Sequence, residues 1–147
     1  MSAEIPSSGW RQAEWAGPVA VLIDGASFDH RGADRILKLA ESLGPVVIRR
    51  VYGDVTRQRD WAEDKRFNPI HTVHKGENQS DVYLTMDALV IAEAGRAESF
   101  VVAALSADFD PVAQRLRDLG CVVHVLGIDQ TSADPHPVCG PFAAVGG

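Results

Sequence analysis

Residues 19–25 read VAVLIDG. Five consecutive apolar side chains without alternation are the mark of a strand buried on both faces, and Asp24-Gly25 ends it in a tight turn. Such a strand belongs in a parallel sheet covered by helices on both sides. The chain downstream fits that plan. From Ala33 to Leu43, Ile36, Leu37, Ala40 and Leu43 keep helical spacing, Arg35, Lys38 and Glu41 fill the other side, and Gly44-Pro45 stops the helix. Further strands are predicted at Val46–Tyr52, Pro69–His74, Ser99–Leu105 and Cys121–Leu126, with Pro69 suiting an edge. Helices are predicted over Arg57–Arg66, anchored by Trp61, and over Ser80–Ala94, apolar widely round its surface and so deeply packed. A last helix is predicted over Pro111–Leu119, with Val112, Leu116 and Leu119 facing inward. Strands alternating with helices in this way imply an α/β/α fold around a mainly parallel five-stranded sheet.

The 147 residues suffice for one core. The expected division is an N-terminal extension over 1–17, a folded domain over 18–128 and a flexible Pro/Gly/Ala-rich tail over 129–147. Residues 1–17 lack the apolar run of a signal peptide, and no stretch approaches the roughly 20 apolar residues that span a bilayer. A cytoplasmic protein without a membrane partner is therefore expected. Cys121 and Cys139 form no disulfide framework and are read as free thiols. The net charge of −6 argues against indiscriminate binding to nucleic acid, although seven of the fourteen basic residues fall between Arg49 and Lys75.

In an open parallel sheet, ligands bind beyond the C-terminal ends of the strands, at the point where the strand order reverses. The acids fall there. Asp24 closes the first strand, Asp108 and Asp110 follow the fourth, and Asp81 opens the long helix after the loop Lys75-Gly76-Glu77-Asn78. Carboxylates brought together repel one another unless a divalent cation neutralises them, and Mg²⁺ or Mn²⁺ is the hard ion an all-oxygen cluster suits. Each acid also has a plainer role: Asp24 in a turn, Asp81 in the first turn of a helix, where the dipole favours it, and Asp110 as the N-cap before Pro111. The capping role is preferred for Asp110, a ligand role for Asp24 and Asp108, and Asp81 stands evenly between the two. Asp87, six residues past Asp81 and on another face, is a supporting candidate. Lys75 and Arg50 are candidate phosphate contacts. His71 and His74 lack zinc-ligand spacing.

Four stretches together are similar to a known family: VLIDGASF at 21–28, RRVYGD at 49–54, KGENQSDVYLTMDAL at 75–89 and LSADFDPVAQRLRDLG at 105–120. They resemble the NYN domain, in the LabA-like branch of the PIN nuclease superfamily, over about Val19 to Gly127. The resemblance implies a PIN-like Rossmannoid sheet and a Mg²⁺- or Mn²⁺-dependent ribonuclease. Its acids fall on Asp24, Asp81, Asp87 and Asp108, and its loop lysine on Lys75. Ser27 stands where the family has an Asn that orients the site, and Ser106 stands where it has an acid. A hydroxyl contributes no charge and binds a hard cation more weakly.

The first expectation is hydrolysis of single-stranded RNA, with Asp24, Asp81 and Asp108 as catalytic metal ligands, Ser106, Asp87 and Ser27 in support, and Lys75 and Arg50 on the substrate. The alternative is a catalytically weakened module that binds RNA or a protein partner in a regulatory role, as a homodimer. A nucleotide-binding fold is disfavoured, because no Gly-x-Gly-x-x-Gly or Walker loop follows the first strand.

Overall fold

The computed structural model describes residues 17–128 and 137–138, with the side chains of 106–108, 128 and 137–138 left out of the description. Six strands form the main sheet, in the order β3-β2-β1-β6-β7-β8. They are β1 (Val19–Asp24), β2 (Val46–Gly53), β3 (Asn68–His71), β6 (Ser99–Ala103), β7 (Val122–Ile128) and β8 (Pro137–Val138). The first five are mutually parallel, as expected, and β8 adds an antiparallel edge on β7. Residues 137–138 thus lie in a strand although the sequence places them in the tail.

All six residues of β1 are buried, the consequence of a central strand with helices on both faces. Val19, Val21 and Ile23 face one layer, which holds α1 (Ala33–Leu43) through Ile36, Leu37 and Ala40, together with Phe28, Trp61 and Phe67. Ala20 and Leu22 face the other, against α3 (Ser80–Glu93) and α4 (Ser106–Asp118) through Leu84, Ala88, Phe109 and Leu116. Trp61, in the short α2 (Arg59–Glu63), anchors its segment as expected: it is buried and donates its indole N–H to the Phe28 carbonyl at 2.9 Å. That helix is shorter than the predicted Arg57–Arg66.

Three other expectations are corrected. The predicted strand over Pro69–His74 breaks at Thr72, which is fully buried. Its N–H donates to the Gly53 carbonyl, its own carbonyl accepts from Gln79, and its hydroxyl donates to Asn78 Oδ1. The chain leaves the sheet there and folds into a hairpin of β4 (Val73–His74) and β5 (Glu77–Asn78). Secondly, α3 is not packed all round. Val82, Met86 and Val90, spaced by single turns, are each about half exposed or more, because the sheet and α4 cover only the Leu84–Ala88–Ile91 side.

Thirdly, α4 begins at Ser106, so Asp110 is not its N-cap; it is exposed, and Pro111 lies inside the helix. The buried stripe explains this start. Phe109, Ala113 and Leu116 recur at helical spacing, so burying Phe109 carries the helix a full turn upstream of the proline. Leu116 faces inward as predicted, whereas Leu119 is exposed.

Candidate active site at the switch point

From β1 the chain winds outward to β2 and β3, then returns through α3 to the other side of β1 and continues outward from β6 to β7. The order therefore reverses between β1 and β6, and the connections that leave their C-terminal ends run to opposite sides of the pair, leaving a crevice. Asp24 closes β1 on the α3/α4 face, two residues beyond Leu22. The turn after it needs glycine: a Cβ on Gly25 would sit 2.9 Å from Val51 Cγ2 and 3.2 Å from the Tyr52 carbonyl, which already accepts the Gly25 N–H at 2.8 Å.

The Asp24 carboxylate is nearly buried and held by three donors. Oδ1 accepts the Ala26 N–H at 3.1 Å and the Ser80 hydroxyl at 3.0 Å, while Oδ2 accepts the Ser27 hydroxyl at 3.0 Å. A carboxylate has about four acceptor positions, so one on Oδ2 is left over. Asp81, exposed in the first turn of α3, accepts the Val82 N–H through Oδ1. Both acids line one crevice with Leu84, Thr85, Ala104, Leu105 and Phe109. Thr85 was not singled out in the sequence, although it lies one turn beyond Asp81 on the same face of α3. Ser80 was missed too; its partner is 56 residues away and no local spacing reveals it.

Ser106 and Asp108 fall in the first turn of α4, directly after the crevice residues Ala104 and Leu105; their side chains lie outside the described residues. Asp87 and Arg50 are elsewhere. Asp87 accepts from Tyr52 Oη at 2.7 Å and from Arg50 Nη1 at 3.2 Å, tying α3 to β2. Burial, with the Asp87 carboxylate adding to it, pushes the Tyr52 phenol far above its ordinary value and makes it a fixed donor. Lys75 stands exposed at the tip of the β4–β5 hairpin.

On the opposite face, Asp64 bonds Arg66 at 2.7 Å and His30 at 2.9 Å. Hydrogen bonds from Arg66 above all, and then from His30, hold its carboxyl well below the usual range. This cluster is joined to Trp61 and Phe67, not to the crevice.

Among the described residues no three His, Cys, Asp or Glu side chains converge on a common point. The donor set still fits Mg²⁺ or Mn²⁺, since such ions bind through one or two carboxylates and keep several waters. Asp24 and Asp81 provide two carboxylates, and Thr85 a neutral oxygen, in one crevice.

The sequence profile of the NYN domain matches residues 18–139. The chain belongs to the NYN domain family. This is a PIN-like nuclease family. No curated protein matches the sequence. Among solved structures, a protein of unknown function from Vibrio parahaemolyticus superposes with a TM-score of 0.62 at 18% identity, over 77% of this chain and 82% of that one. That likeness shows the fold alone. No helix among the described residues is long and apolar enough to cross a membrane.

Proposed function

We propose that this NYN domain, of the LabA-like branch, is a cytoplasmic Mg²⁺- or Mn²⁺-dependent ribonuclease that hydrolyses phosphodiester bonds of single-stranded RNA. The observation that carries this is the crevice at the switch point, lined by Asp24 from β1 and Asp81 from α3. Asp24, Asp81 and Asp108 would hold the cation, with Ser106 and Ser27 in support. A bound Mg²⁺ or Mn²⁺ supplies an acidified water and offsets charge on the leaving oxygen.

The chain's own residues do the rest. Asp24, clamped by three donors, fixes one carboxylate oxygen on the floor of the crevice. Asp81 presents a second carboxylate nearer solvent, where an incoming phosphodiester arrives. Leu84, Leu105 and Phe109 line the crevice beside the two acids with apolar side chains. Lys75 contacts a phosphate from the hairpin tip. Arg50 and Asp87 serve the site by fixing α3, from which Asp81 projects, and not by reaching the crevice themselves.

Cleavage of an end-labelled single-stranded RNA in Mn²⁺ tests the reading. Asp24→Asn should slow it by more than about 100-fold, beyond the loss typical of removing an outer-shell partner. Equal cleavage by both proteins would refute it. Ser106, standing in place of a family acid, and the net charge of −6 favour a second reading, a weakened regulatory module that binds RNA or a protein partner as a homodimer. RNA binding without cleavage by the wild type, with turnover gained in Ser106→Asp, would select that reading.

A further inference from the structure

We infer that Ser80 is a positioning residue that sets Asp24 and Asp81 relative to each other; this rests on the ribonuclease reading above. Serine near a helix start ordinarily serves the helix itself, accepting a backbone N–H as an N-cap. Ser80 does not. It is the first residue inside α3, after Gln79, and its own N–H is already taken by the Asn78 side-chain oxygen at 3.1 Å. Ser80 is 5% exposed, and its hydroxyl donates instead to Asp24 Oδ1 at 3.0 Å.

Two consequences follow from that bond. The first turn of α3 is pinned to the end of β1, and because Asp81 is the next residue along, the pin fixes the separation of the two crevice carboxylates. The bond also completes the occupancy of Oδ1, which already accepts the Ala26 N–H. With Ser27 on Oδ2, the acceptor position that remains belongs to Oδ2. Asp24 therefore offers a cation a single oxygen in a single direction. An Asp24 without Ser80 would be held about χ2, a broad torsion, by Ala26 and Ser27 alone, and Oδ1 would regain an open position, so the carboxylate would no longer present a single direction. Outer partners of this kind orient metal ligands, and their loss typically weakens metal affinity.

Mn²⁺ affinity of the metal-free protein, read by titration calorimetry beside its melting temperature, tests the inference. Ser80→Ala should weaken Mn²⁺ binding roughly 10- to 100-fold while the melting temperature of the metal-free protein stays close to wild type. Ser80→Cys, of similar volume but a weak donor, should follow the alanine variant, and Ser80→Thr, which keeps the hydroxyl, should restore affinity. Wild-type affinity in Ser80→Ala, with uptake still lost in Asp24→Asn, would overturn the role of Ser80 and leave the ribonuclease reading standing. Loss of affinity and melting temperature together, unrepaired by Ser80→Thr, would also overturn it, since Ser80 would then be a packing residue. If the wild type takes up no Mn²⁺, or Asp24→Asn takes it up equally, both the reading and the inference fall.

Discussion

The carboxylate of Asp87 accepts from Tyr52 Oη at 2.7 Å, and the Tyr52 side chain is fully buried. Removing that acceptor strands a buried hydroxyl and leaves the Arg50 guanidinium without its 3.2 Å partner. Asp87→Ala should therefore cost about 1–3 kcal/mol of unfolding free energy, measurable by urea denaturation, whereas Asp87→Asn, which still accepts from Tyr52, should cost less. Asp24 and Asp87 differ in how far the sequence discloses them. A carboxylate that ends an apolar strand marks itself, and Asp24 lies at the strand end where the VAVLIDG run puts it. The sequence also separates Asp87 from Asp81, because six residues along a helix bring a side chain to another face. It does not give the partner of Asp87, since Tyr52 and Arg50 come from a strand 35 and 37 residues earlier. The long-range hydrogen bond of Ser80 was hidden for the same reason.

Between residue and fold, the β4–β5 hairpin carries Lys75, the proposed phosphate contact, and its turn is strained toward the left-handed region. Lys75 has φ 53° and Gly76 φ 82°, the pattern of a two-residue type I′ turn. Asn followed by Gly is the favoured pair at these positions, so Lys75→Asn should preserve or strengthen the hairpin while removing its ammonium. If Lys75 contacts a phosphate, this variant should weaken RNA binding across sequences, and the salt dependence of affinity should fall by roughly 0.7 in slope for a single strand. An unchanged slope would remove Lys75 from the interface. The hairpin itself was not legible, because Val73 and His74 continue the extended pattern of β3 and only the buried Thr72 marks the departure. The start of α4 was legible in principle. Phe109, Ala113 and Leu116 carry the helical period past Pro111, but Asp110-Pro111 presents a stronger local start signal, and the buried stripe overrode it.

For the molecule as a whole, the parallel sheet follows from the alternation of strands and helices, and five parallel strands were expected and are present; their order was not given by that alternation and comes from the structure. The site inherits its place from that order, since the reversal between β1 and β6 is where the chain can open a crevice. Folding stability should vary with pH in two steps. Burial, with Arg117 adding to it, lowers the His124 imidazole below 6.5, so on acidification the unfolded chain takes up that proton first. The contribution is complete above 6.5 and is lost as pH falls toward the folded value. Asp64, lowered from 3.8 chiefly by Arg66, contributes fully above 3.8 and less as pH falls through its depressed value. Denaturant unfolding between acid and neutral pH should show both losses, and His124→Gln should remove the upper one. The ribonuclease account itself turns on whether a cation settles between β1 and α3. Anomalous diffraction from crystals grown with Mn²⁺ tests this directly: a peak is expected in the crevice, bonded to Asp24 Oδ2 and to Asp81, with the Ser80 bond to Oδ1 intact. A Mn²⁺-free crevice under saturating metal, or a peak held by other residues, would contradict it.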